Sequence, residues 1–388
     1  MKPATTSPPP RASVLIVQEH LPAFRVPFYE QLRENLAARG IALKLVFASN
    51  QRNTFLLGKL DWAIDVPIRW VCHLGWQPVL KLARQADLVI VQQETKYLLN
   101  PLLQCLAKCG GPPVAYWGHG RNFQPVVAGK LSNTIKKLLA TRVHWWFAYN
   151  DLSAGVVSGL GFPGERITSV VNAVDTTGMI KRKNSLTPQG LANLRAKLGL
   201  NSENVAVYTG GLYPNKRIDF LLDAAILIRA AIPDFELIVI GGGPERDLVT
   251  QAAARHPWLH DIGPKNDQEK VPYWALAKLL LMPGLVGLVV VDSFALGVPM
   301  VTTDYPFHSP EIDYLKNDEN GLIVNCGQSA EVYAAAVARL LQDPARLERL
   351  RQGALASAPQ YTIENMVANF AEGVVRALEA KAEIPASA

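Results

Sequence analysis

The sequence predicts an α/β protein of two domains, each a parallel sheet covered by helices. The chain has 388 residues, more than one ordinary hydrophobic core holds. Hydrophobic residues make up 49% and charged residues 19%, a composition typical of a folded, core-rich protein. Short continuous apolar runs alternate with helical segments, which is the pattern of a sheet buried on both faces. Two Rossmann-like domains follow, with ligands expected at the carboxyl ends of the strands, in the cleft between the domains.

The apolar runs fall into two series that a polar stretch separates. They predict strands at 13–18, 42–48, 87–93, 112–120 and 143–150, and again at 204–211, 235–243, 279–284, 299–304 and 320–325. The expected organisation is a flexible Pro-rich lead at 1–11, an N-terminal domain at 12–178, a linker at 179–195, a C-terminal domain at 196–360, a helix at 361–380 and a tail at 381–388. The linker is inferred from TTGMIKRKNSLTPQG, which is polar and contains Pro and Gly.

Composition narrows the possible partners. The net charge of +6 is a mild bias towards anionic partners, but no basic run is interleaved with stacking aromatics, so nucleic acid is not expected. The four cysteines, Cys72, Cys105, Cys109 and Cys326, have no metal-ligand spacing and suit a reducing compartment. No apolar run has the length of a membrane span, and SVLIVQ is too short for a signal peptide. A cytoplasmic protein is expected.

The rest of the chain is organised around residues 282–301, MPGLVGLVVVDSFALGVPMV. Gly287 lets the backbone approach a ligand closely, and a helix is predicted from near Leu288 to Gly297. The free N–H groups and the positive dipole end of this helix suit a phosphate or diphosphate. Asp292, one turn into the helix, suits a ribose diol beside that diphosphate. The alternative is a plain strand-loop-helix unit whose Asp favours the helix N-terminus.

Three further strand ends carry polar or charged residues. Lys216 and Arg217 follow a Gly-rich turn, where a point charge and a fork of donors suit a diphosphate; a solvated basic turn is the alternative. His119 stands between two glycines after a strand, as a proton-transfer or sugar-binding residue or as a structural histidine in a tight turn. Glu94 ends another strand and suits sugar hydroxyls or a base role. The glycines of GGGPER lack the third glycine of a dinucleotide fingerprint.

Four ordered motifs between residues 205 and 324 carry a family resemblance. They are GGLYPNKRIDFLLDA, PDFELIVIGGGPERDLV, GLVVVDSFALGVPMVTT and SPEIDYLKNDENGLIV, and WGHGRN, AYNDLSAGVVSGLG and SVVNAVD accompany them in the first half. The chain resembles the GT-B glycosyltransferases of the large retaining class that includes glycogen-synthase-like and mannosyltransferase-like enzymes. The resemblance implies sugar transfer from a nucleotide diphosphate sugar to an acceptor hydroxyl in glycan, glycolipid or polysaccharide assembly. It also implies that the last helix crosses back to the first domain.

The resemblance also implies roles for particular residues. The implied donor-binding set is Gly211, Lys216, Arg217, Pro264, Lys265, Gly284, Val286, Gly287, Leu288 and Asp292. Pro264 and Lys265 fall where the nucleobase lies, and His119 is the implied catalytic residue beside the transferred sugar. On the acceptor side the candidates are Arg25, Glu94, Arg121 and Asn122. No metal and no cofactor are expected beyond the nucleotide sugar itself.

The chain departs from the family pattern at three places. Gly284 stands where the family has an acid eight positions before the ribose acid. Gly211 stands where it has an arginine, and HLPAFRVPFYE with Arg25 replaces its first Gly-rich loop. Two alternatives therefore stay open. One is a catalytically idle, nucleotide-binding GT-B protein, which Gly284 suggests. The other is a nicotinamide-dependent oxidoreductase, which only the two Rossmann-like halves and the GGGP loop suggest.

A basic amphipathic helix is predicted in GKLSNTIKKLLATR, residues 129–142. Lys130, Lys136 and Lys137 flank its apolar stripe, so it is a candidate for peripheral contact with an anionic inner membrane face and a lipid-linked acceptor. The alternative is that the stripe packs on the domain's own sheet and the lysines are solvated.

Overall fold

The computed structural model describes residues 9–49, 60–120 and 139–382. They form two compact units: the first contains the described residues up to Val174 together with those from Ile363 onward, and the second runs from Asp175 to Thr362. The predicted α/β class is confirmed, because each unit contains a parallel sheet with helices between its strands.

The first unit is a parallel sheet in the order β3-β2-β1-β6-β7-β8-β9, with β4 and β5 as a separate antiparallel hairpin. Its elements are β1 (Ala12–Val17), α1 (Val26–Ala38), β2 (Ile41–Phe47), β3 (Ile64–Asp65), β4 (Arg69–Val71), β5 (Leu74–Trp76), α2 (Leu80–Ala83), β6 (Leu88–Gln92), α3 (Leu99–Lys108), β7 (Val114–Gly118), β8 (Trp145–Ala148), α4 (Asp151–Gly159) and β9 (Ile167–Ser169). In β1, Val14 and Ile16 belong to one apolar cluster while Leu15 belongs to another. Both faces of the sheet are therefore covered, which explains the continuous apolar run.

The second unit is a parallel sheet in the order β12-β11-β10-β13-β14-β15. Its elements are α5 (Thr177–Asn184), α6 (Pro188–Leu198), β10 (Val205–Thr209), α7 (Ile218–Ala231), β11 (Glu236–Ile240), α8 (Arg246–Arg255), β12 (Leu259–Asp261), α9 (Asp267–Trp274), β13 (Leu279–Met282), α10 (Val289–Leu296), β14 (Met300–Thr303), β15 (Gly321–Val324), α11 (Ala330–Leu341) and α12 (Pro344–Ser357). Strand order reverses between β10 and β13, the place where sheets of this kind bind ligands at the carboxyl ends of their strands.

The last helix, α13 (Ile363–Ala382), packs on the sheet of the first unit. Phe370 stacks on Phe147 of β8 with ring centroids 4.4 Å apart. Gly373 allows the helix to come this close, since a Cβ there would lie 2.6 Å from the hydroxyl oxygen of Thr168. The apolar face of α13 thus completes the first hydrophobic core.

The segment 179–195 differs from the linker expected from its composition. It lies in α5 and α6, which the contact pattern assigns to the second unit. Thr187 caps α6 by accepting from the Gly190 N–H at 3.1 Å, Pro188 opens the helix, and Gly199 ends it in a left-handed conformation. The segment is polar because α6 buries none of its residues. Its polar composition is therefore that of an exposed helix rather than of a loop.

All ten predicted strands are present within one to three residues at their ends. The sequence patterns missed five strands, each of which has only two or three residues, too few to show a hydrophobic period. They are β3, β9 and β12 at the sheet edges and the two strands of the β4–β5 hairpin. Among the described helices, none combines the length and the apolar character that crossing a bilayer requires.

Candidate functional site

The candidate site lies at the carboxyl edge of the second sheet, where β10 and β13 lie side by side. After β10 the chain makes a glycine turn and a 3-10 turn, Pro214–Lys216; after β13 it makes the loop 283–288 and enters α10. The 283–288 segment is called the phosphate loop below. The two connections are in direct contact, since the Leu285 N–H donates to the Asn215 carbonyl oxygen at 2.8 Å.

Lys216 points into this junction. Its Nζ donates to the carbonyl oxygen of Leu285 at 2.5 Å. Burial lowers the pKa of Lys216 to about 8, and Glu311 acts in the opposite direction. Among the described residues Lys216 forms no salt bridge. Lys216 is partly buried. A partly desolvated ammonium whose hydrogen-bond partner is a neutral carbonyl is costly, and an anion placed beside it would reduce that cost.

Arg217 follows at once and has a left-handed backbone, with φ 57° and ψ 54°. This conformation is uncommon for a residue with a side chain. Its guanidinium carbon lies 4.0 Å from the ring centroid of Phe220 and 5.7 Å from that of Tyr305. The two rings hold the guanidinium beside the site by cation–π contact.

Gly284 is packed against the backbone of the 3-10 turn. A Cβ at this position would lie 2.4 Å from the carbonyl carbon and oxygen of Lys216. By contrast, a Cβ at Gly287 would meet nothing nearer than the Ser309 hydroxyl oxygen at 3.8 Å. No side chain fits at position 284 with this backbone, which gives a physical reason for the missing acid. Gly211 differs again, because the atoms nearest to a Cβ there would belong to the Tyr213 side chain, at 2.4 Å, and not to the backbone.

The glycines of GGGPER have a packing role. A Cβ at Gly241 would lie 2.1 Å from the carbonyl oxygen of Gly210, and one at Gly243 would lie 2.5 Å from that of Leu212. The loop after β11 therefore lies directly on the glycine turn after β10. This close backbone approach explains why both positions are glycines, and a bound dinucleotide is not needed to explain them. Pro264 reaches the same loop, 3.7 Å from a Cβ built on Gly242, whereas Lys265 is exposed.

Asp292 has a buried partner that the patterns missed. Lys270 of α9 donates to Asp292 at 2.7 Å and to Asp267 at 2.8 Å. Burial raises the pKa of Asp292, and Lys270 opposes this increase. Although burial acts against charge on Lys270, the two carboxylates raise its pKa. The short contact and the second carboxylate favour the ionised pair. A lysine on the buried face of a helix, followed by Val271 and Trp274, is the sequence feature that could have revealed it.

His308 and Ser309 also escaped the sequence patterns, although both hold the phosphate loop. The Val286 N–H donates to His308 Nδ1 at 3.1 Å, and the Ser309 hydroxyl donates to the Val286 carbonyl oxygen. Leu285 and Val286 therefore already use their N–H groups within the protein. Among the described residues, the N–H groups of Gly287 and Leu288 have no such acceptor and remain available to a ligand.

The first unit contains the predicted catalytic histidine. His119 follows β7, and its ring lies 4.0 Å from that of Tyr149, centroid to centroid. The side-chain amide of Gln93 forms two hydrogen bonds with the backbone of Gly120, the residue after His119. The Gly120 N–H donates to Gln93 Oε1 at 2.9 Å, and Gln93 Nε2 donates to the Gly120 carbonyl oxygen at 3.2 Å. The turn that carries His119 is therefore fixed by the end of β6. Glu94, the next residue after Gln93, is exposed.

Arg25 is buried and hydrogen-bonded within the protein. Its guanidinium donates to the Ala173 carbonyl oxygen at 3.0 Å and to the Asn172 side chain, and it lies 5.9 Å from the Trp117 ring. These contacts tie the start of α1 to the segment after β9, which is a structural role; an acceptor contact by Arg25 stays a prediction. The other two acceptor-side candidates, Arg121 and Asn122, lie outside the described residues, as do Lys130, Lys136 and Lys137.

Within residues 9–49, 60–120 and 139–382, no three His, Cys, Asp or Glu side chains are placed to hold a metal ion. The cysteines of these segments are unpaired, with Cys326 buried and the others exposed. The candidate site of the second unit is built from Lys216, Arg217 and the backbone of the phosphate loop.

Comparison with solved structures defines the class of fold. Anabaena Alr3699/HepE, crystallised with UDP, superposes with a TM-score of 0.72 at 17% identity, covering 94% of this chain and 99% of that one. EpsD of Bacillus subtilis (strain 168) is 24% identical over 373 residues, 90% of this chain and 93% of EpsD. The fold and the ordered strand-end motifs are those of a GT-B protein.

A match to a family model falls within the second unit. Residues 203–343 match the family model of glycosyl transferases group 1. D-inositol 3-phosphate glycosyltransferase of Thermobispora bispora is 26% identical over 233 residues, 56% of this chain and 52% of the relative, so the match spans about half of that protein's length. Residues 203–343 are therefore similar to the glycosyl transferases of group 1, within a chain that has the GT-B fold.

Proposed function

We propose that the protein transfers a sugar from a nucleotide diphosphate sugar to an acceptor hydroxyl, in glycan, glycolipid or polysaccharide assembly. One observation carries the proposal: Lys216 is a partly buried cation whose hydrogen-bond partner is the Leu285 carbonyl oxygen, beside the N-terminal end of α10. A diphosphate placed there gains the ammonium, the positive end of the helix dipole and the available N–H groups of Gly287 and Leu288.

The reaction breaks the bond between the anomeric carbon and the diphosphate oxygen and forms a bond from that carbon to the acceptor oxygen. The electron pair of the broken bond leaves with the diphosphate, so negative charge grows there in the transition state. Lys216, Arg217 and the start of α10 are proposed to stabilise this charge, since donors fixed in place before the reaction do so most effectively. The proposal requires no resident cofactor or metal, and EDTA is expected to leave turnover unchanged.

The remaining candidates divide between the two units. Asp292 is proposed to bind the ribose while Lys270 holds its carboxylate in position. Pro264 and Lys265 are proposed to lie along the nucleobase. On the first unit, His119 is proposed to contact the transferred sugar, and Glu94, Arg121 and Asn122 the acceptor.

Properties of relatives support the choice of ligands. Alr3699/HepE has been crystallised with UDP-glucose. A relative in Mycobacterium leprae, 29% identical over 147 residues, is a phosphatidyl-myo-inositol mannosyltransferase, whose name includes a lipid acceptor. We therefore propose a nucleoside diphosphate sugar as donor and a glycan or lipid-linked acceptor.

Membrane contact is proposed on the sequence alone. The lysines flanking the apolar stripe of residues 129–142 would attach a cytoplasmic protein reversibly to an anionic inner face, with each lysine contributing roughly 1 kcal/mol. Sedimentation with anionic liposomes is expected at low salt, with release at high salt and loss when Lys130, Lys136 and Lys137 are changed to Glu. A wild-type protein that stays in the supernatant at low salt would leave only a soluble acceptor.

The central test is ligand-induced thermal stabilisation with UDP, GDP, ADP and NAD, followed by a donor screen read by mass spectrometry. One nucleoside diphosphate is expected to raise the melting temperature and NAD to leave it unchanged, and the matching nucleotide sugar is expected to be turned over. Stabilisation without turnover of any donor would indicate an idle nucleotide-binding protein. Stabilisation by NAD alone would overturn the proposal.

A further inference from the structure

The phosphate loop is held from its far side by the segment that follows β14. His308 Nδ1 accepts from the Val286 N–H at 3.1 Å, and His308 Nε2 lies 2.9 Å from the Thr303 carbonyl oxygen. A carbonyl oxygen can only accept, so Nε2 carries the proton and Nδ1 is the bare acceptor. The hydrogen-bond pattern therefore defines a neutral imidazole of one tautomer.

A second proton on this ring is incompatible with the loop as it stands. Protonation at Nδ1 would set one N–H donor against another, that of Val286, and remove the loop's contact with β14. The ring is 7% exposed, so water cannot easily replace the lost contact. The two residues after Val286 carry the N–H groups available to phosphate, so a displaced Val286 moves both donors.

The charges around the ring also oppose protonation. Burial is the main cause that lowers the pKa of His308. Lys216 and Arg217 act in the same direction, while Asp304 and the hydrogen bond to the Thr303 carbonyl oxygen act against it. The neighbouring aromatic ring, Tyr305, lies 5.6 Å away, centroid to centroid. The ring therefore stays neutral at neutral pH, and protonation on acidification opposes the folded loop.

We infer that His308 is a positioning residue for donor binding, whose neutral Nε2–H tautomer fixes the phosphate loop and whose protonation releases it. The inference rests on the proposed function, because it assigns the loop to the donor diphosphate. It adds a property that the diphosphate contacts alone do not have: donor affinity falls on mild acidification through a side chain that does not touch the donor.

Two substitutions separate the two hydrogen bonds of the ring. His308→Asn places an amide oxygen near the Nδ1 position and keeps an acceptor for Val286, but it cannot be protonated. His308→Gln places an amide nitrogen near the Nε2 position and keeps the donor to Thr303, but it offers Val286 no acceptor. The pair is matched in charge and chemistry, so a difference between the variants reports the Val286 contact rather than the loss of a histidine.

The first readout needs no ligand. Amide hydrogen exchange of the peptide containing residues 284–288 is measured for the full chain and both variants at equal pH, which cancels the intrinsic pH dependence of exchange. Protection in the wild type is expected to fall relative to His308→Asn as pH drops below about 6.5, the ordinary pKa of histidine. His308→Gln is expected to be unprotected throughout. Equal protection in all three proteins at every pH would overturn the inference.

The second readout couples the loop to the donor. UDP-glucose is the probe, because its diphosphate has no terminal phosphate that titrates in this range. Wild-type affinity is expected to fall up to tenfold for each pH unit below the pKa of His308, while His308→Asn binds with little pH dependence. Wild-type affinity that rises on acidification, through attraction to the imidazolium, would overturn the inference. Failure of UDP-glucose to bind the wild type at any pH would count against the proposed donor, and the exchange measurement would still decide the role of His308.

Discussion

Replacing Lys216 by methionine is expected to stabilise the protein and to weaken nucleotide binding at the same time. The two effects have one cause. Lys216 keeps an ammonium in a partly buried position next to a neutral carbonyl oxygen. This placement favours an anionic ligand and destabilises the ligand-free fold, as the lowered pKa of Lys216 indicates. Methionine has a similar length and no charge. A substitution that raises stability but lowers ligand affinity indicates that the original residue serves function rather than stability.

The expected change in the free energy of unfolding follows from the pKa of Lys216. Burial lowers the pKa of Lys216 to about 8, against about 10.4 for an unperturbed lysine. Since a pKa difference of one corresponds to about 1.36 kcal/mol, charge at this position costs the folded state on the order of 3 kcal/mol near neutral pH. Methionine also loses the hydrogen bond to Leu285, worth about 1 kcal/mol. The unfolding free energy is thus expected to rise by about 2 kcal/mol. Nucleoside diphosphate binding is expected to weaken by about 1.5–3 kcal/mol, roughly ten- to a hundredfold.

Urea unfolding and titration calorimetry measure the two quantities. Lys197→Met on α6 is the control, because Lys197 is exposed and should change neither. The pH dependence of stability tests the direction of the effect of Lys216. The folded pKa of Lys216 lies below its unfolded value, so the unfolded state binds more protons between the two and wild-type stability rises with pH there. The advantage of Lys216→Met should therefore shrink from about pH 8 upward by about 1.36 kcal/mol per pH unit and reach zero roughly 1.5 pH units higher. Near about pH 10.4 only the lost hydrogen bond should remain, and the variant should then be less stable by about 1 kcal/mol. A variant that is less stable than the wild type near pH 7 and binds nucleotide unchanged would refute the reasoning.

Three further substitutions test other parts of the site. Asp292→Asn is expected to lower stability by about 3–5 kcal/mol, since Lys270 loses its buried partner, and to weaken nucleoside diphosphate binding in calorimetry; equal losses for ribose and deoxyribose analogues would reject the ribose assignment. His119→Ala is expected to lower turnover more than nucleotide affinity, and abolished binding with intact turnover per bound donor would contradict this. Gly284→Ala is expected to lower the melting temperature, at a cost of about 1–3 kcal/mol for the overpacked backbone; Gly287→Ala is the control, and equal stability of the two variants would show that the loop can move aside.

The sequence was most informative where structure depends on neighbouring residues. The helix of the 282–301 stretch was predicted from near Leu288 to Gly297, and α10 has Leu288 as its N-cap and a left-handed Gly297 after its last residue. Glycine there has a local cause, because the backbone needs a positive φ of 63°. The strands were equally accessible, since burial on both faces produces continuous apolar runs that need no knowledge of the partner strand.

The patterns failed where the cause lies far along the chain. Lys270 and Asp292 are 22 residues apart and on different helices, and Val286 and His308 are 22 apart on either side of β14. No period or spacing links such pairs, because only the folded sheet brings them together. The polar segment 179–195 failed for another reason: exposed helices and loops share a composition, and α6 buries no residue that could show a helical stripe.

Gly284 connects these points. From the sequence, the glycine is interpreted as the loss of a donor-binding acid. In the structure, the backbone of Lys216 occupies the space that a side chain at position 284 would need. The same close approach lets Leu285 donate to Asn215 and accept from Lys216. A side chain at 284 would therefore separate the two connections and withdraw the cation from the phosphate loop. Negative charge near Lys216 comes instead from Glu311, which is 4% exposed and raises the lysine's pKa against the effect of burial. The charge balance of this site is accordingly set from the segment after β14, the same segment whose His308 holds the loop.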